Sequence, residues 1–340
     1  MNTEQKYKLI KRNTTDIITD EELKKLLKET KNPTAYLGWG ITGKGHIGYF
    51  LPVMKLADFL KAGLHVKLLL ADLHGALDKT PWELLEKRYE YYKKTIQLMF
   101  KSIGADIKNF EIIKGSSFQL KPEYTFDLLK LSTITTAHDA KKAGSEVVKQ
   151  EKNPKLSGLI YPLMQALDEE YLKTDIQLGG LDQRKIMVFA REHLPKIGYK
   201  KRIEIMNPLI PGLAEGGKMS ASKPHSKIDL LDSPETIKQK LKNAFCPIGQ
   251  TEENGVLALM KYVIMTLKED KKEEFTIKRP EKFGGTIKYK TYKELEKDYK
   301  DKKLHPQDLK NALAEEIIKL TEPIRKEMKG QEKLIKEAYP

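Results

Sequence analysis

The sequence has a single cysteine and no long uncharged apolar run. Cys246 alone cannot form an internal disulfide, and it cannot supply the several thiolates or the Cys/His cluster of a cysteine-rich zinc site. No stretch reaches the roughly 18 apolar residues that cross a bilayer. Residues 1–16 alternate charged and polar side chains and lack the apolar segment of a signal peptide. These absences predict a protein of the reducing cytoplasm with no membrane anchor.

Positive charge is abundant. The 340 residues include 62 Lys and Arg against 48 Asp and Glu, a net charge of +14, and 39% of the residues are hydrophobic. That apolar content supports a folded core, and the length suggests about two domains. The charge favours a polyanionic partner such as nucleic acid. A solvated, lysine-rich surface is the alternative.

Strand and helix patterns alternate through the first two thirds of the chain. Strands are predicted over 35–39, 65–72, 109–114, 175–180 and 203–207, and helices over 47–62, 81–103, 183–193 and most of 124–150. This alternation is typical of α/β proteins with a parallel sheet. A new helix is predicted where Ser233 can cap and Pro234 can occupy the first turn. Beyond it the pattern is mostly helical, which predicts domains over 1–232 and 233–340.

A glycine-rich turn, Thr42–Gly48, lies between the first strand and the first helix. Glycines there let the backbone approach a phosphate, and the helix start offers free N–H groups. A dinucleotide fingerprint is a weak alternative, because Gly38 and Gly40 fall at the strand end and no suitable acid follows about 20 residues on. His46 considered alone could be a surface or capping histidine.

A second loop, Gly217–Lys223, follows the last strand of the first domain. On its own it is a flexible basic loop. A lysine on a mobile loop can also move onto a polyphosphate as charge develops there.

Together, His46-Ile47-Gly48 and the loop Lys218-Met219-Ser220-Ala221-Ser222 resemble the paired signatures of class I aminoacyl-tRNA synthetases. Longer stretches, including Tyr161–Asp168, Gly179–Lys185 and His305–Lys310, resemble tyrosyl-tRNA synthetases of the archaeal and eukaryotic cytosolic type. The resemblance implies a Rossmann-like catalytic domain with a dimerising insertion at about 75–170, and a helical anticodon-binding domain. It also implies a homodimer that binds tyrosine, ATP and tRNA(Tyr).

The resemblance places five residues around the tyrosine substrate. Tyr36 and Asp168 match the pair on the phenolic hydroxyl, and Tyr161, Gln165 and Gln183 match residues around the ammonium and carboxylate groups. The spacing of Tyr161, Gln165 and Asp168 puts them on one face of a helix. A polar helix edge is the alternative, which their apolar neighbours weaken because buried polar groups need partners.

The resemblance also implies an ATP site, with Mg²⁺ carried by ATP and no protein-bound metal. Catalytic contacts are expected from His46, Thr42 and Lys218. The ATP-binding residues are expected to be Gly38, His46, Gly48, Gly180, Asp182, Lys218, Met219 and Ser220. Two positions depart from the family pattern, because Tyr49 replaces the second histidine of one signature and Ala221 replaces the second lysine of the other.

For tRNA, the resemblance implies that Phe283 stacks on an anticodon base, that Asp308 reads the first anticodon base, a guanine, and that Arg184 contacts the acceptor stem. Asp308 could instead cap the helix after Pro306.

Two other functions stay open. A tryptophanyl-tRNA synthetase shares the fold and the alanine at position 221, although an indole offers no hydroxyl to Tyr36 and Asp168. The other is a non-catalytic RNA-binding protein on the same scaffold, which the intact His46 and Lys218 argue against.

Overall fold

The computed structural model describes residues 1–148, 155–220 and 226–340. A six-stranded sheet of order β1-β6-β5-β2-β3-β4 forms its centre. The strands are β1 (Asp16–Ile18), β2 (Thr34–Gly40), β3 (His65–Ala71), β4 (Phe110–Lys114), β5 (Ile176–Gly180) and β6 (Ile203–Asn207). Strands β2 to β6 pair in parallel, as predicted, whereas β1 pairs antiparallel with β6. Sequence analysis missed β1 because three residues are too few to establish a periodicity.

Helices cover both faces of this sheet, and they form the predicted α/β architecture. They are α1 (Thr3–Lys11), α2 (Asp20–Glu29), α3 (Phe50–Lys61), α4 (Asp72–Leu77), α5 (Leu85–Ile103), α6 (Ser116–Gln119), α7 (Pro122–Thr133), α8 (Ala137–Ala143), α9 (Leu156–Tyr171) and α10 (Arg184–His193). Short 3-10 turns, Ile47–Tyr49 and Trp82–Leu84, precede α3 and α5. The predicted helical stretch 124–150 is divided between α7 and α8, and its last two residues lie outside the described ranges.

The C-terminal region is mostly helical, as predicted. It contains α11 (Pro234–Lys242), α12 (Gly255–Leu259), a π-helical turn (Met260–Met265), α13 (Thr266–Lys271), β7 (Phe275–Ile277), β8 (Ile287–Tyr289), α14 (Tyr292–Lys300), α15 (Pro306–Met328) and α16 (Glu332–Ala338). The Ser233 side chain caps α11 by accepting from the Thr236 N–H, as its position predicted. The short antiparallel pair β7–β8 was not predicted, and it frames the segment that carries Phe283.

Contacts between the two parts of the chain are extensive. Helices α15 and α16 pack against α5, and one apolar core runs from the sheet into the C-terminal helices. The Arg12 guanidinium binds Asp58 of α3 and Asp270 of α13, which ties the N-terminal segment to both parts. Within the described ranges, no helix combines the length and the apolar character needed to cross a membrane.

Candidate active site

Two neighbouring cavities open at the carboxyl ends of the parallel strands, where α/β proteins bind ligands. The inner cavity has a volume of about 130 Å³ and the outer cavity about 350 Å³. Gly38 at the end of β2, Gly180 at the end of β5 and Gln183 line both cavities. Their shared wall places any ligand of the inner cavity next to a ligand of the outer one.

All five predicted tyrosine-binding residues line the inner cavity. These residues are Tyr36, Tyr161, Gln165, Asp168 and Gln183. Tyr36 on β2 is fully buried, with its hydroxyl 3.5 Å from the Gln165 carbonyl oxygen. Helix α9 presents Tyr161, Gln165 and Asp168 to the cavity on one face, as their spacing predicted. The side chains lie at the boundary between sheet and helix and not along a solvated helix edge.

Asp168 is the buried acid of the inner cavity, only 1% exposed. Its Oδ1 accepts hydrogen bonds from Gln119 Nε2 at 2.8 Å and from the Tyr124 hydroxyl at 2.9 Å. Burial raises the pKa of this carboxyl to about 8, against the opposing effect of those two donors. A carboxyl with a pKa of about 8 is mostly protonated at neutral pH, and the protonated group can both donate to and accept from a phenol.

Sequence analysis assigned no role to three further residues of this site, His74, Gln119 and Tyr124. His74 lies at the wall of the inner cavity, with its ring packed edge-on against Tyr161 at 4.6 Å between centroids, and its Nε2 is 3.9 Å from Asp168 Oδ2. Burial lowers the pKa of His74 to about 4, so the ring is neutral. Within the described part of the chain, the buried His74 Nε2 and Gln119 Oε1 have no hydrogen-bond partner. Because Gln119 and Tyr124 lie more than 40 residues from Asp168 in sequence, only the tertiary structure could reveal this network.

Below Tyr36 the structure buries two more carboxyl groups, Glu169 on α9 and Glu204 on β6. The side-chain oxygens of both groups lack a hydrogen-bond partner among the residues that the structure describes. Burial raises the pKa of both groups, and their proximity adds to the shift at Glu204. Burial together with these nearby acids raises the pKa of the Tyr36 hydroxyl well above its usual value, so Tyr36 remains a neutral hydroxyl.

A chain of polar side chains connects the two cavities. Gln165 Nε2 donates to Gln183 Oε1 at 3.1 Å, and Gln183 Nε2 donates to Asp182 Oδ1 at 3.3 Å. The other Asp182 oxygen accepts from the Lys218 ammonium. Hydrogen bonds therefore link, in this order, the side chains that are predicted to contact the amino acid, the ribose and the pyrophosphate.

His46 belongs to the outer cavity, at the N-terminal end of the 3-10 turn before α3. Its side chain makes no capping hydrogen bond and is 5% exposed, so it is neither a capping nor a surface histidine. Burial, with a smaller effect of the Lys227 charge, lowers the pKa of His46 to about 3. The ring is therefore neutral, and its buried Nδ1 has no partner among the described residues.

Glycines make room in the outer cavity at two points. A Cβ on Gly48 would lie 3.1 Å from both the His46 ring and the Met219 sulfur, and one on Gly180 would lie 2.7 Å from Asp182 Oδ1. Real Cβ contacts are rarely that short. Gly48 therefore permits the close approach of the two signature segments to each other, in addition to any space it leaves for a nucleotide base.

The loop with the second signature is anchored at two neighbouring residues of its described part. Met219 N–H donates to the Ile210 carbonyl at 2.8 Å, and Ser220 N–H is 3.4 Å from Ser226 Oγ. Lys218 and Met219 line the outer cavity, and the Lys218 side chain is 46% exposed. Ser220 is half-buried next to them, whereas Ala221 and Ser222 lie outside the described residues.

The backbone of the glycine-rich turn is held by side chains that sequence analysis did not predict. Thr42, which is exposed, lines the outer cavity, and its carbonyl accepts from Arg88. The Gly43 carbonyl accepts from the hydroxyls of Tyr92 and Tyr339, the latter at 2.8 Å. Helix α5 and Tyr339, the residue that follows α16, therefore fix the turn that presents Thr42 and His46.

The three predicted tRNA-binding residues are separate from the cavities. Phe283 lies on a 3-10 turn between β7 and β8 and is 59% exposed. Asp308 lies in the first turn of α15, but His305 is the cap, because its side chain accepts from the Gln307 N–H. The capping alternative for Asp308 is therefore wrong. Arg184 begins α10, and its Nε binds Asp16 at 2.9 Å.

Comparison with known proteins matches residues 28–322 to a family model described as tRNA synthetases class I (W and Y). A Gallus gallus protein named cytoplasmic tyrosine–tRNA ligase is 51% identical over 99% of this chain, which spans 64% of that relative's length. A Natronomonas pharaonis tyrosine–tRNA ligase is 46% identical over 100% of this chain and 99% of its own.

Solved structures give the same assignment. A tyrosyl-tRNA synthetase of Archaeoglobus fulgidus, complexed with L-tyrosine, superposes with a TM-score of 0.89 at 37% identity, covering 96% of this chain and 99% of its own. A tryptophanyl-tRNA synthetase of Aeropyrum pernix covers 94% of this chain and 83% of its own with a TM-score of 0.68 at 19% identity, which shows the shared fold alone. The chain therefore belongs to the tyrosyl-tRNA synthetases, within the class I family of tryptophan and tyrosine tRNA synthetases.

Proposed function

We propose that this protein is a tyrosine–tRNA ligase. In the first step a tyrosine carboxylate oxygen attacks the α-phosphorus of ATP, the bond to the bridging oxygen breaks, and pyrophosphate leaves. In the second step a ribose hydroxyl at the 3′ end of tRNA(Tyr) attacks the tyrosyl carbonyl, and AMP leaves. The observation that carries this proposal is the pair of cavities that share Gly38, Gly180 and Gln183, because joined reactants must lie side by side.

Tyrosine is the amino acid that suits the inner cavity. Tyr36 and Asp168 are buried residues of its lining and would offer a neutral hydroxyl and a protonated carboxyl, respectively, to a phenol. A phenylalanine ring would leave these groups without partners, which costs more than the lost contact. A tryptophan ring likewise lacks the hydroxyl. Tyr161, Gln165 and Gln183 line the rest of the cavity, where they would hold the ammonium and carboxylate groups.

ATP is the ligand that we assign to the outer cavity. Gly38, Gly48, Gly180 and Asp182 would hold the adenosine, with Met219 and Ser220 closing over it. The neutral His46 would donate an N–H to the phosphates, and Thr42 would add a hydroxyl. Lys218, which contacts Asp182, would exchange that partner for the leaving pyrophosphate once the ribose binds Asp182.

We infer that Mg²⁺ enters with ATP. The described residues contain no group of three or more His, Cys, Asp or Glu arranged to hold a metal ion. An ion bound mainly through phosphates and water needs few protein ligands. It would supply charge neutralisation on the phosphates, whereas His46 and Lys218 supply the directed contacts.

We also propose a division of labour, with catalysis in residues 1–232 and anticodon recognition in residues 233–340. Phe283 and Asp308 offer an exposed ring and a carboxylate for base recognition, and Arg184 would contact the acceptor stem. Cytoplasmic localisation is part of the same proposal, since aminoacylation supplies the ribosome.

The proposal includes a homodimer formed through the insertion at about 75–170. Helix α7 exposes Phe126 and Leu129, three residues apart, and α9 exposes Leu156 and Ile160, four residues apart. Each pair lies on one face of its helix, and the two helices are neighbours. Exposed apolar faces of this kind are typical of subunit interfaces.

Sedimentation equilibrium tests the dimer. Phe126→Asp should shift the mass towards that of a monomer, because a carboxylate would be buried at the interface. Phe283→Ala, which removes an exposed aromatic ring elsewhere, should leave the mass unchanged. A variant that remains fully dimeric would place the interface on another surface.

The activity is tested by amino-acid-dependent ATP–pyrophosphate exchange with tyrosine, tryptophan and phenylalanine. Exchange with tyrosine alone, followed by charging of tRNA(Tyr), is the expected result. Exchange with tryptophan would favour the tryptophanyl alternative. No exchange with any amino acid, alongside intact tRNA binding, would favour a non-catalytic RNA-binding protein.

A further inference from the structure

Arg279 joins the two segments that carry the proposed anticodon contacts. Its Nε donates to the Gly285 carbonyl at 3.1 Å, and its Nη1 donates to the Lys303 carbonyl at 3.4 Å. The first acceptor belongs to the turn that carries Phe283, and the second belongs to the loop before α15, which carries Asp308. One half-buried guanidinium thus connects segments that α14 separates in the chain.

On the Phe283 side, the guanidinium packs against a tight glycine turn. Gly284 and Gly285 have φ angles of +90° and +68°, and a Cβ on Gly284 would lie 3.0 Å from Arg279 Nη2. Within the turn, the Phe283 N–H donates to the Pro280 carbonyl at 2.9 Å. The turn therefore keeps its backbone against Arg279 while it directs the Phe283 ring outward.

On the Asp308 side, the acceptor lies in an anchored loop. Leu304, which follows Lys303, is fully buried, and both residues donate backbone N–H groups to the Asp298 carbonyl, at 2.8 and 3.2 Å. His305 then caps α15, and Asp308 follows in its first turn. A hydrogen bond to Lys303 thus restrains Asp308 through only five residues of ordered backbone.

We infer that Arg279 is a positioning residue for recognition of a single unstacked guanine in an RNA loop, an inference that rests on the proposed function. A base is rigid, so it can stack on Phe283 and donate to Asp308 at once only if the two side chains keep a fixed separation. The planar guanidinium, with donors in fixed directions, sets that separation. A lysine ammonium retains the charge but cannot hold both carbonyls in the same geometry.

The test compares aminoacylation kcat/KM for tRNA(Tyr) with guanine and with adenine at the first anticodon position. Arg279→Lys and Arg279→Gln should each reduce the preference for guanine about tenfold, within the usual effect of a base contact. Tyrosine-dependent ATP–pyrophosphate exchange should stay at the wild-type rate, which also shows that the variants fold. Arg325→Gln is the matched control, because Arg325 also donates to a backbone carbonyl, that of Ile318 at 2.7 Å, within α15.

Retention of the wild-type preference by Arg279→Lys would overturn the inference, because charge alone would then suffice. A smaller salt dependence of tRNA binding in Arg279→Gln would also overturn it and would indicate a phosphate contact. In a Phe283→Ala background, Arg279→Lys should have little further effect, whereas full additivity would contradict the inference. If the wild-type protein itself shows no preference for guanine, the proposed anticodon function fails first.

Discussion

The inner and outer cavities are neighbours, but they are built from different kinds of structure. The inner cavity takes its polar groups from β2 and α9, and the key carboxyl, Asp168, is 1% exposed. The outer cavity takes His46 from a glycine-rich turn and Lys218 from a loop, and Lys218 is 46% exposed. Selection of the substrate is thus assigned to a strand and a helix, and contacts to the reacting phosphates are assigned to a turn and a loop.

The electrostatics of the two cavities differ in the same way. In the inner cavity burial favours a protonated Asp168 and a neutral Tyr36, so we expect the proposed recognition of tyrosine to depend on uncharged hydrogen bonds. In the outer cavity Lys218 is paired with Asp182 and remains accessible to solvent. A buried uncharged network rejects ligands that leave its members unpaired, whereas an exposed cation can follow charge as it moves in a reaction.

The largest effect is expected from Asp168→Ala. It should lower kcat/KM for tyrosine in ATP–pyrophosphate exchange by about 10³-fold or more and leave the KM for ATP nearly unchanged. A site that hydrogen-bonds a substrate hydroxyl can discriminate by 10⁴–10⁵, a value already known for tyrosine over phenylalanine in this enzyme class.

Asp127→Ala is the control for that variant. Asp127 is also buried, and it accepts from the Tyr171 hydroxyl at 2.8 Å, but it does not line either cavity. A loss of activity of the same size in Asp127→Ala would mean that stability, and not substrate recognition, explains the Asp168 effect.

Removal of the proposed phosphate contacts should slow the chemical step and leave tyrosine binding nearly unchanged, in contrast to Asp168→Ala. Lys218→Ala and His46→Ala are each expected to lower the rate of adenylate formation by about 10²–10³-fold, the usual loss when a transition-state contact is removed. Tyrosine binding, measured by equilibrium dialysis, should change little. Lys238→Ala, which removes an exposed lysine paired with Glu315, should have no comparable effect. A change confined to the tyrosine KM would show that the affected residue acts in binding alone.

A smaller effect is expected outside both cavities. Asp308→Ala should reduce the preference for guanine at the first anticodon position by about 1–3 kcal/mol, the value of one good base contact. Adenylate formation should be unaffected, because Asp308 lines neither cavity. An unchanged ratio of kcat/KM between the two tRNAs would remove Asp308 from base recognition.

A separate prediction concerns the pH dependence of stability. The Asp168 pKa of about 8 in the folded protein lies above its usual value of 3.8, so the folded state retains a proton that the unfolded state loses. Wild-type stability should therefore fall as pH rises between those values, by up to about 1.4 kcal/mol per pH unit. Asp168→Asn retains the shape without the titration, so its melting temperature should exceed that of wild type by more at pH 8 than at pH 5. A pH-independent difference would contradict the assigned pKa.

The sequence by itself determined the class of fold and most of the site. Five strands, the parallel pairing and the helix cap at Ser233 follow from local patterns, because side-chain periodicity and capping act over a few residues. Signature motifs located His46 and Lys218, and helical spacing brought Tyr161, Gln165 and Asp168 together. The three-residue strands β1, β7 and β8 escaped because they are too short to show a pattern.

Only the tertiary structure decided which distant side chains meet. Gln119 and Tyr124 reach Asp168 across more than 40 residues, Tyr339 reaches Gly43 across 296, and Arg279 connects two loops. It also decided protonation: His46, His74 and Asp168 have shifted pKa values mainly because the fold buries them. Burial depends on the packing of all the surrounding elements, so the identity and spacing of neighbouring residues cannot predict it.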